Sequence, residues 1–309
     1  MTPEELATER AALVALLHPP RTFKWASHRT QIIEDGVLPS SLLVKALHGE
    51  ADQAELLITH SRRRIQAWEG QGHTLITYLD AEYPAQFHEV HDFPPFIFAA
   101  GRLPEAGVPE IAVSIVGSRA ASPDGKRDAY NLGKTLAVRG VTVVSGLAEG
   151  IDHAAQTGAL SVGGRTVGII GTGIDISYPR SSSQLQARLA SGEGLVVSQF
   201  WPGSEPQQRN FPMRNSVMSA YSRVTVIVEA DEKSGTRHQA STAVKHGRPL
   251  VLAPAVATET SWGRKLTATG SLNDVHIARS SDQAAELAIE LASPREVCSQ
   301  LRLPIEAFA

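Results

Sequence analysis

One cysteine in 309 residues, Cys298, cannot close a disulfide within the chain or furnish a multi-cysteine zinc site. That scarcity fits a reducing compartment. No apolar run approaches the eighteen or so residues that a membrane span needs, and the start, Met1-Thr2-Pro3-Glu4-Glu5, is acidic where a secretory signal is basic. The expectation is a cytoplasmic protein with no membrane partner. A Walker A lysine loop, an internal repeat and a low-complexity tract are all missing, and no His/Asp/Glu cluster has recognisable ligand spacing. The sequence thus asks for no metal, no cofactor and no catalytic residue. What is there is ordinary globular material, 42% hydrophobic and 20% charged, which excludes a disordered chain.

The net charge of -3 hides a segregation along the chain. Residues 111–270 hold 17 Lys and Arg against 11 Asp and Glu, whereas the flanks hold 12 against 21. A basic centre between acidic flanks suits an anion-binding module, with nucleic acid or another phosphate-bearing ligand both open on charge alone.

Residues 1–71 read as an N-terminal helical region. Apolar residues fall near helical spacing over Glu4 to Leu17, Ser40 to Leu47 and Gln53 to Gln71, with Gly36 and Pro39 punctuating the gaps. The run Arg62-Arg63-Arg64 within the third is either a solvated face or a phosphate-contacting patch. Residues 72–110 read as an extended connecting segment packing on the core. Its run Phe93 to Phe98 contains Pro94-Pro95, which predicts an edge strand or an irregular segment.

From Ile111 short apolar β-branched runs recur with helix-compatible stretches between them. Six strands are expected: Ile111 to Val116, Val141 to Ser145, Arg165 to Ile170, Leu195 to Gln199, Val224 to Glu229 and Pro249 to Ala253. Nearly all are apolar on both faces, the mark of parallel strands covered on both sides. Residues 111–292 therefore read as an α/β domain, an extended Rossmann-like, doubly wound, mostly parallel sheet that ends in a helix near Asp282 to Ala292. Residues 293–309 are a C-terminal tail.

Ligands of such sheets bind beyond the strand carboxyl ends, so the residues there carry the function. After the first strand, Gly117-Ser118-Arg119 offers close backbone approach to an anion, a following helix N-terminus and a guanidinium fork. After the second, Asp152 stands where an N-cap would serve the next helix. Gly171-Thr172-Gly173 after the third lacks the rest of a dinucleotide fingerprint. After the fourth, Arg209, Phe211, Arg214 and Asn215 combine cations, a ring and an amide just before a helix, which suits the neutralisation of a strand's phosphates and the stacking of an unpaired base. The competing reading makes Phe211 and Trp201 core residues. After the fifth, Ser234 or Thr236 would cap the next helix, flanked by Lys233 and Arg237.

Taken in order, these pieces resemble the DprA/Smf family, DNA-processing protein A of bacterial transformation. The matching landmarks are Ile115 to Arg119, Val144 to Asp152, Gly171 to Asp175 with Tyr178-Pro179, Phe211-Pro212-Met213-Arg214-Asn215, Glu229-Ala230, Ser234-Gly235-Thr236 and Gly247-Arg248-Pro249. The resemblance covers roughly residues 70 to 255. It implies a protein that binds single-stranded DNA without sequence preference, protects incoming strands in natural transformation, forms a homodimer and hands the strand to a RecA-type recombinase. Arg119, Phe211 and Arg214 match the family's DNA-pocket residues. Phe211 would then stack a base while both arginines hold phosphates. The DNA-binding set so expected is Gly117, Ser118, Arg119, Arg209, Phe211, Arg214, Asn215, Lys233 and Arg237.

The chain also departs from the pattern. Gln208 stands in place of a common lysine and Ser216 in place of an arginine, Arg237-His238-Gln239 replaces an apolar-Thr-Ala segment, and no winged-helix domain is recognisable. These departures leave open another role, such as defence against mobile DNA. A nucleotide-binding sensor, or a nucleoside-monophosphate hydrolase of the lysine-decarboxylase-like kind, is the rival from the same superfamily. Such hydrolases need a carboxylate where this chain has Gln239, and an amide cannot act as a general base.

Overall fold

In the computed structural model, which describes residues 1–19, 23–108, 110–268 and 274–293, the chain opens with helices α1 (Pro3–Leu17), α2 (Trp25–Ile33), α3 (Pro39–Ala46) and α4 (Ala51–Glu69). Helix α1 is fixed by a capping box: the Glu5 N–H donates to Thr2 Oγ1 and the Thr2 N–H to Glu5 Oε2. Arg62 of α4 donates to Thr8 and pairs with Glu4, so that cation ties α4 to α1 instead of facing a ligand.

Next come strands β1 (Thr74–Thr77) and β2 (Phe96–Gly101), then the alternating series β3 (Ala112–Gly117), α5 (Pro123–Val138), β4 (Thr142–Ser145), α6 (Ile151–Leu160), β5 (Thr166–Ile169), α7 (Ser183–Arg188), β6 (Leu195–Ser198), α8 (Asn210–Tyr221), β7 (Val224–Glu229), α9 (Thr236–Lys245) and β8 (Leu250–Leu252). Helices α10 (Pro254–Glu259) and α11 (Ser261–Ala268), strand β9 (Val275–Ile277) and helix α12 (Ser281–Ala292) follow. The predicted tail 293–309 lies outside the described residues beyond Ser293.

All the strands share one sheet in the order β1-β2-β6-β5-β4-β3-β7-β8-β9, parallel from β6 to β9 and antiparallel where β2 meets β1 and β6. All six strands expected from the apolar runs are present, shorter by a residue or two at some ends. Strand β2 departs from expectation, because it pairs on both sides and lies inside the sheet. Pro94 and Pro95 precede its first rung, where a missing N–H costs the ladder nothing, and the Pro95 carbonyl still accepts from the Tyr78 N–H. The segment 72–110 thus contributes two strands to the sheet.

Both faces are covered, which is why the central strands are apolar throughout. Helices α5, α6 and α12 seal one face through Leu132, Leu136, Ile151, Ala155 and Ala288. Helices α8 and α9 and the stretch Tyr83 to Phe93 seal the other through Met218, Tyr221, Ala240, Phe87 and neighbours. Helices α1 and α4 pack Ala11, Val14 and Ile65 onto Leu75, Phe96 and Phe98, so the N-terminal region is joined to the sheet by a common core. Strand order reverses at β3, with β4, β5 and β6 running to one side and β7, β8 and β9 to the other. That reversal is where doubly wound folds bind ligands.

Candidate nucleic-acid interface

A cleft of about 490 Å³ opens at the switch point. It is lined by the turn after β3, by Ala148 and Asp152 after β4, by the first two turns of α8, and by the stretch from Asp231 to Gln239 after β7. Of the nine residues expected to contact DNA, the structure brings Gly117, Ser118, Arg119, Phe211, Arg214, Asn215 and Lys233 together on its walls. Arg209 and Arg237 are exposed on neighbouring turns and lie outside the lining.

The rim is cationic and aromatic. The Arg119 guanidinium lies over the Phe211 ring, 5.4 Å from its centroid, and among the described residues it makes no ion pair. Phe211 is half-buried and backs onto Gly171, where a Cβ would approach its ring to 3.2 Å. Tyr178, 40% exposed, adds a second ring 5.8 Å away. Trp201, the other ring that the sequence leaves open as a core residue, is separate: it packs on Trp68, Phe96 and Phe98 beside the N-terminal helices. Lys233, exposed in the stretch after β7, also lines the cleft, its backbone N–H held by Asp231 Oδ1 at 2.9 Å.

The floor is different. Arg214, expected to hold phosphate, is only 7% exposed and donates from Nη1 to the Ile169 carbonyl at 3.0 Å. It passes directly over Gly146, where a Cβ would meet Nη1 at 1.5 Å, so a side chain at that position would displace the guanidinium. Beside it lies Asp152, also buried. Burial pushes the Asp152 carboxyl up, against the pull of Arg214 and of the Gly146 N–H that it accepts at 3.0 Å. Burial likewise pulls the Arg214 guanidinium down, opposed by Asp152 and aided by the positive charge of Arg119. The N-cap role expected of Asp152 is not what the structure shows: Gly150 stands at the head of α6, and the Asp152 carboxylate instead braces the turn at Gly146 beneath the cleft.

Two further expectations change. The head of α5 is not free for an anion, because the Ser122 N–H and Oγ donate to Glu229 at 3.0 and 2.5 Å and Ser122 Oγ accepts from the Gly125 N–H. A negative side chain already complements that helix end. The Ser118 N–H is likewise committed, to the Glu229 carbonyl. At α9 the N-cap position is Gly235, and Ser234 Oγ accepts from the Thr236 N–H at 3.2 Å in a local turn. Gln239 completes the floor, 1% exposed with neither amide atom partnered. Sequence reading singles it out only as a missing carboxylate. Its place on α9, one turn beyond Thr236, is the available sign that it faces inward.

The class so defined is a doubly wound sheet whose switch-point cleft sets a cation without an ion-pair partner over a half-exposed ring. Comparison with known proteins gives the family. The family model of DNA recombination-mediator protein A matches residues 74–283, and the chain belongs to that family. Protein Smf of Synechocystis is 37% identical over 183 residues, covering 58% of this chain and 45% of that protein. DNA processing protein DprA of Streptococcus pneumoniae is 36% identical over 176 residues, covering 57% of this chain and 61% of its own. The chain thus spans about half the length of these relatives. The X-ray structure of the pneumococcal protein superposes with a TM-score of 0.65 over 93% of this chain and 98% of its own at 24% identity, which supports the fold. A structure of DNA processing protein A from Helicobacter pylori, described for its single-stranded DNA binding mode, superposes with a TM-score of 0.59 at 25% identity over 71% of this chain and 96% of its own. Among the described residues, no helix is long and apolar enough to cross a membrane.

Proposed function

We propose that the cleft binds single-stranded DNA without sequence preference. The observation that carries this reading is the Arg119 guanidinium above the half-exposed Phe211 ring, with Lys233 in the lining of the same cleft. A base stacks on the ring whatever its identity, since every base has a π-face. The two outer cations take the flanking phosphates, and the Gln239 amide, able to present its N–H or its carbonyl, accommodates more than one base edge. The DNA-binding mode described for the Helicobacter relative supports the same ligand class.

Kinship with recombination mediators supports the wider role: protection of incoming strands in the cytoplasm, action as a homodimer and delivery to a RecA-type recombinase. We place the protein outside the enzymes. Glu229 and Glu149, which could substitute for the carboxylate of a nucleotide hydrolase, are engaged, the first at the head of α5 and the second by the Ser181 hydroxyl, and Gln239 cannot ionise. Anisotropy titration of oligo-dT against duplex and mononucleotide competitors tests the proposal. Single strands win, and log affinity falls linearly with log salt. Tighter binding of duplex or of a mononucleotide sinks it.

A further inference from the structure

On the far side of α8 from the cleft, three potential metal ligands from distant parts of the sequence converge. His91 and Asp92 lie in the connection between β1 and β2, and His246 closes the C-terminal end of α9. One nitrogen of each imidazole and one oxygen of the carboxylate all lie within 4.8 Å of one another. His246 Nε2 and Asp92 Oδ1 are already 2.6 Å apart, and the His91 ring stands edge-on to the His246 ring at 5.6 Å between centroids.

What surrounds these ligands suits a cation. The His246 side chain is 1% exposed, and its Nδ1 meets Ser219 Oγ at 3.0 Å. A hydrogen bond to the second nitrogen is how metal-binding histidines are oriented, leaving the first directed at the ion. Asp92 Oδ2 accepts from Ser216 Oγ at 2.8 Å, which orients the carboxylate in the same way. Glu89, three residues earlier, has its charge met by Arg223 and Arg248, whereas among the described residues Asp92 pairs with no lysine or arginine. Of these two carboxylates, the one without a lysine or arginine partner among the described residues is the one beside two histidines.

We propose that His91, Asp92 and His246 form a binding site for a divalent transition metal of the zinc class. Two imidazoles and a carboxylate at about 2.0–2.2 Å, with water in the fourth position, make a tetrahedral set for such an ion. Reaching that geometry takes a swing of His91, which is exposed, and an opening of the 2.6 Å His246–Asp92 separation to the roughly 3.3 Å that two ligands of one tetrahedral ion require. On binding, the ion takes the place of the proton between His246 Nε2 and Asp92, while Nδ1–H donates to Ser219. The site would clip the β1–β2 connection to the end of α9, with Ser216 and Ser219 of α8 holding two of the ligands from behind. Helix α8 begins with the residues that face the cleft, so the ion would stiffen the support of Phe211.

The test is titration of the metal-free full chain with Zn2+ alone, followed by calorimetry, and with Co2+, followed by its visible d–d absorption. One equivalent is expected to bind, with a band of tetrahedral type. His91→Ala and Asp92→Asn change exposed side chains, and each is expected to weaken affinity on the order of 100-fold while leaving circular dichroism unchanged. Cys298→Ser retains the site and excludes a thiolate ligand. Absence of saturable binding, or an affinity that stays within about twofold of the parent in either the His91 or the Asp92 variant, overturns the proposal. Because the readout is metal uptake, the result is independent of whether the cleft binds DNA.

Discussion

The cleft contains two arginines whose surroundings give them opposite tasks. Arg119 at the rim is exposed, lies on an aromatic face and makes no ion pair among the described residues, so its charge is available to a ligand. Arg214 on the floor is buried, crosses a glycine, bonds to a main-chain carbonyl and has Asp152 for a counter-charge. The same side chain stands free at the rim in one place and is tied into the fold in the other. Burial and charge compensation decide which, and neither is visible in the motif that contains Arg214.

The largest effect should come from the floor. Arg214 and Asp152 act on each other through the field without forming an ion pair, and removing either leaves the other charge buried and less compensated, at a cost of up to about 3–5 kcal/mol. Asp152→Ala and Arg214→Ala are each expected to lower stability by about that much in denaturant unfolding, and the double variant should cost less than their sum. Rim substitutions should leave stability near the parent value. Unfolding midpoints of Arg214→Ala and Arg119→Ala that coincide would erase the distinction between floor and rim.

Binding should show the reverse ordering. Phe211→Ala is expected to weaken oligo-dT binding by about 1–3 kcal/mol through the missing stacking platform, with Phe211→Tyr close to the parent. The ring is half-exposed, so the unfolding midpoint should move little. A large stability loss without a binding defect would make Phe211 a core residue after all. Arg119→Ala comes next: the salt dependence of log affinity should become shallower by about 0.7–1 for each phosphate no longer neutralised. Arg119→Lys should restore the slope but less of the affinity, since a lysine keeps the charge without the planar stacking face.

How much of this can be read from sequence follows from where the signal resides. The strands β3 to β8 are legible because two-sided burial forces continuous apolar runs, and their ends then place Gly117, Phe211 and Ser234 on one edge. Helix α2 escapes because Trp-Ala-Ser-His-Arg-Thr-Gln-Ile-Ile buries only Ile32 and has no side-chain cap. Strand β9 escapes because it is three residues long and only partly buried. The electrostatic coupling of Arg214 to Asp152 is hidden for a different reason. The two are 62 positions apart, and residue type alone assigns each the role it usually plays at a helix start, a phosphate holder and an N-cap. Gly146 holds the only local trace, as a position where a side chain would block the guanidinium.

The smallest expected effects mark the edge of the cleft. Arg209 and Arg237 carry the same charge as Arg119 and flank Phe211 and Lys233 in sequence, Arg209 at the head of α8 and Arg237 in the first turn of α9, yet both lie outside the lining. Arg237 also sits within the field of Glu232, whose carboxyl it helps hold below the usual range after the stronger hydrogen bonds from Ser261. Screened at roughly one Debye length in physiological salt, a charge off the track still adds to the general attraction but neutralises no particular phosphate. Arg209→Ala and Arg237→Ala should therefore lower the association rate slightly and leave the salt slope within a fraction of a unit of the parent. A slope change in either that matches Arg119→Ala would mean that the strand runs past the rim and along α8 and α9, and the bound track would then have to be drawn longer than the cleft.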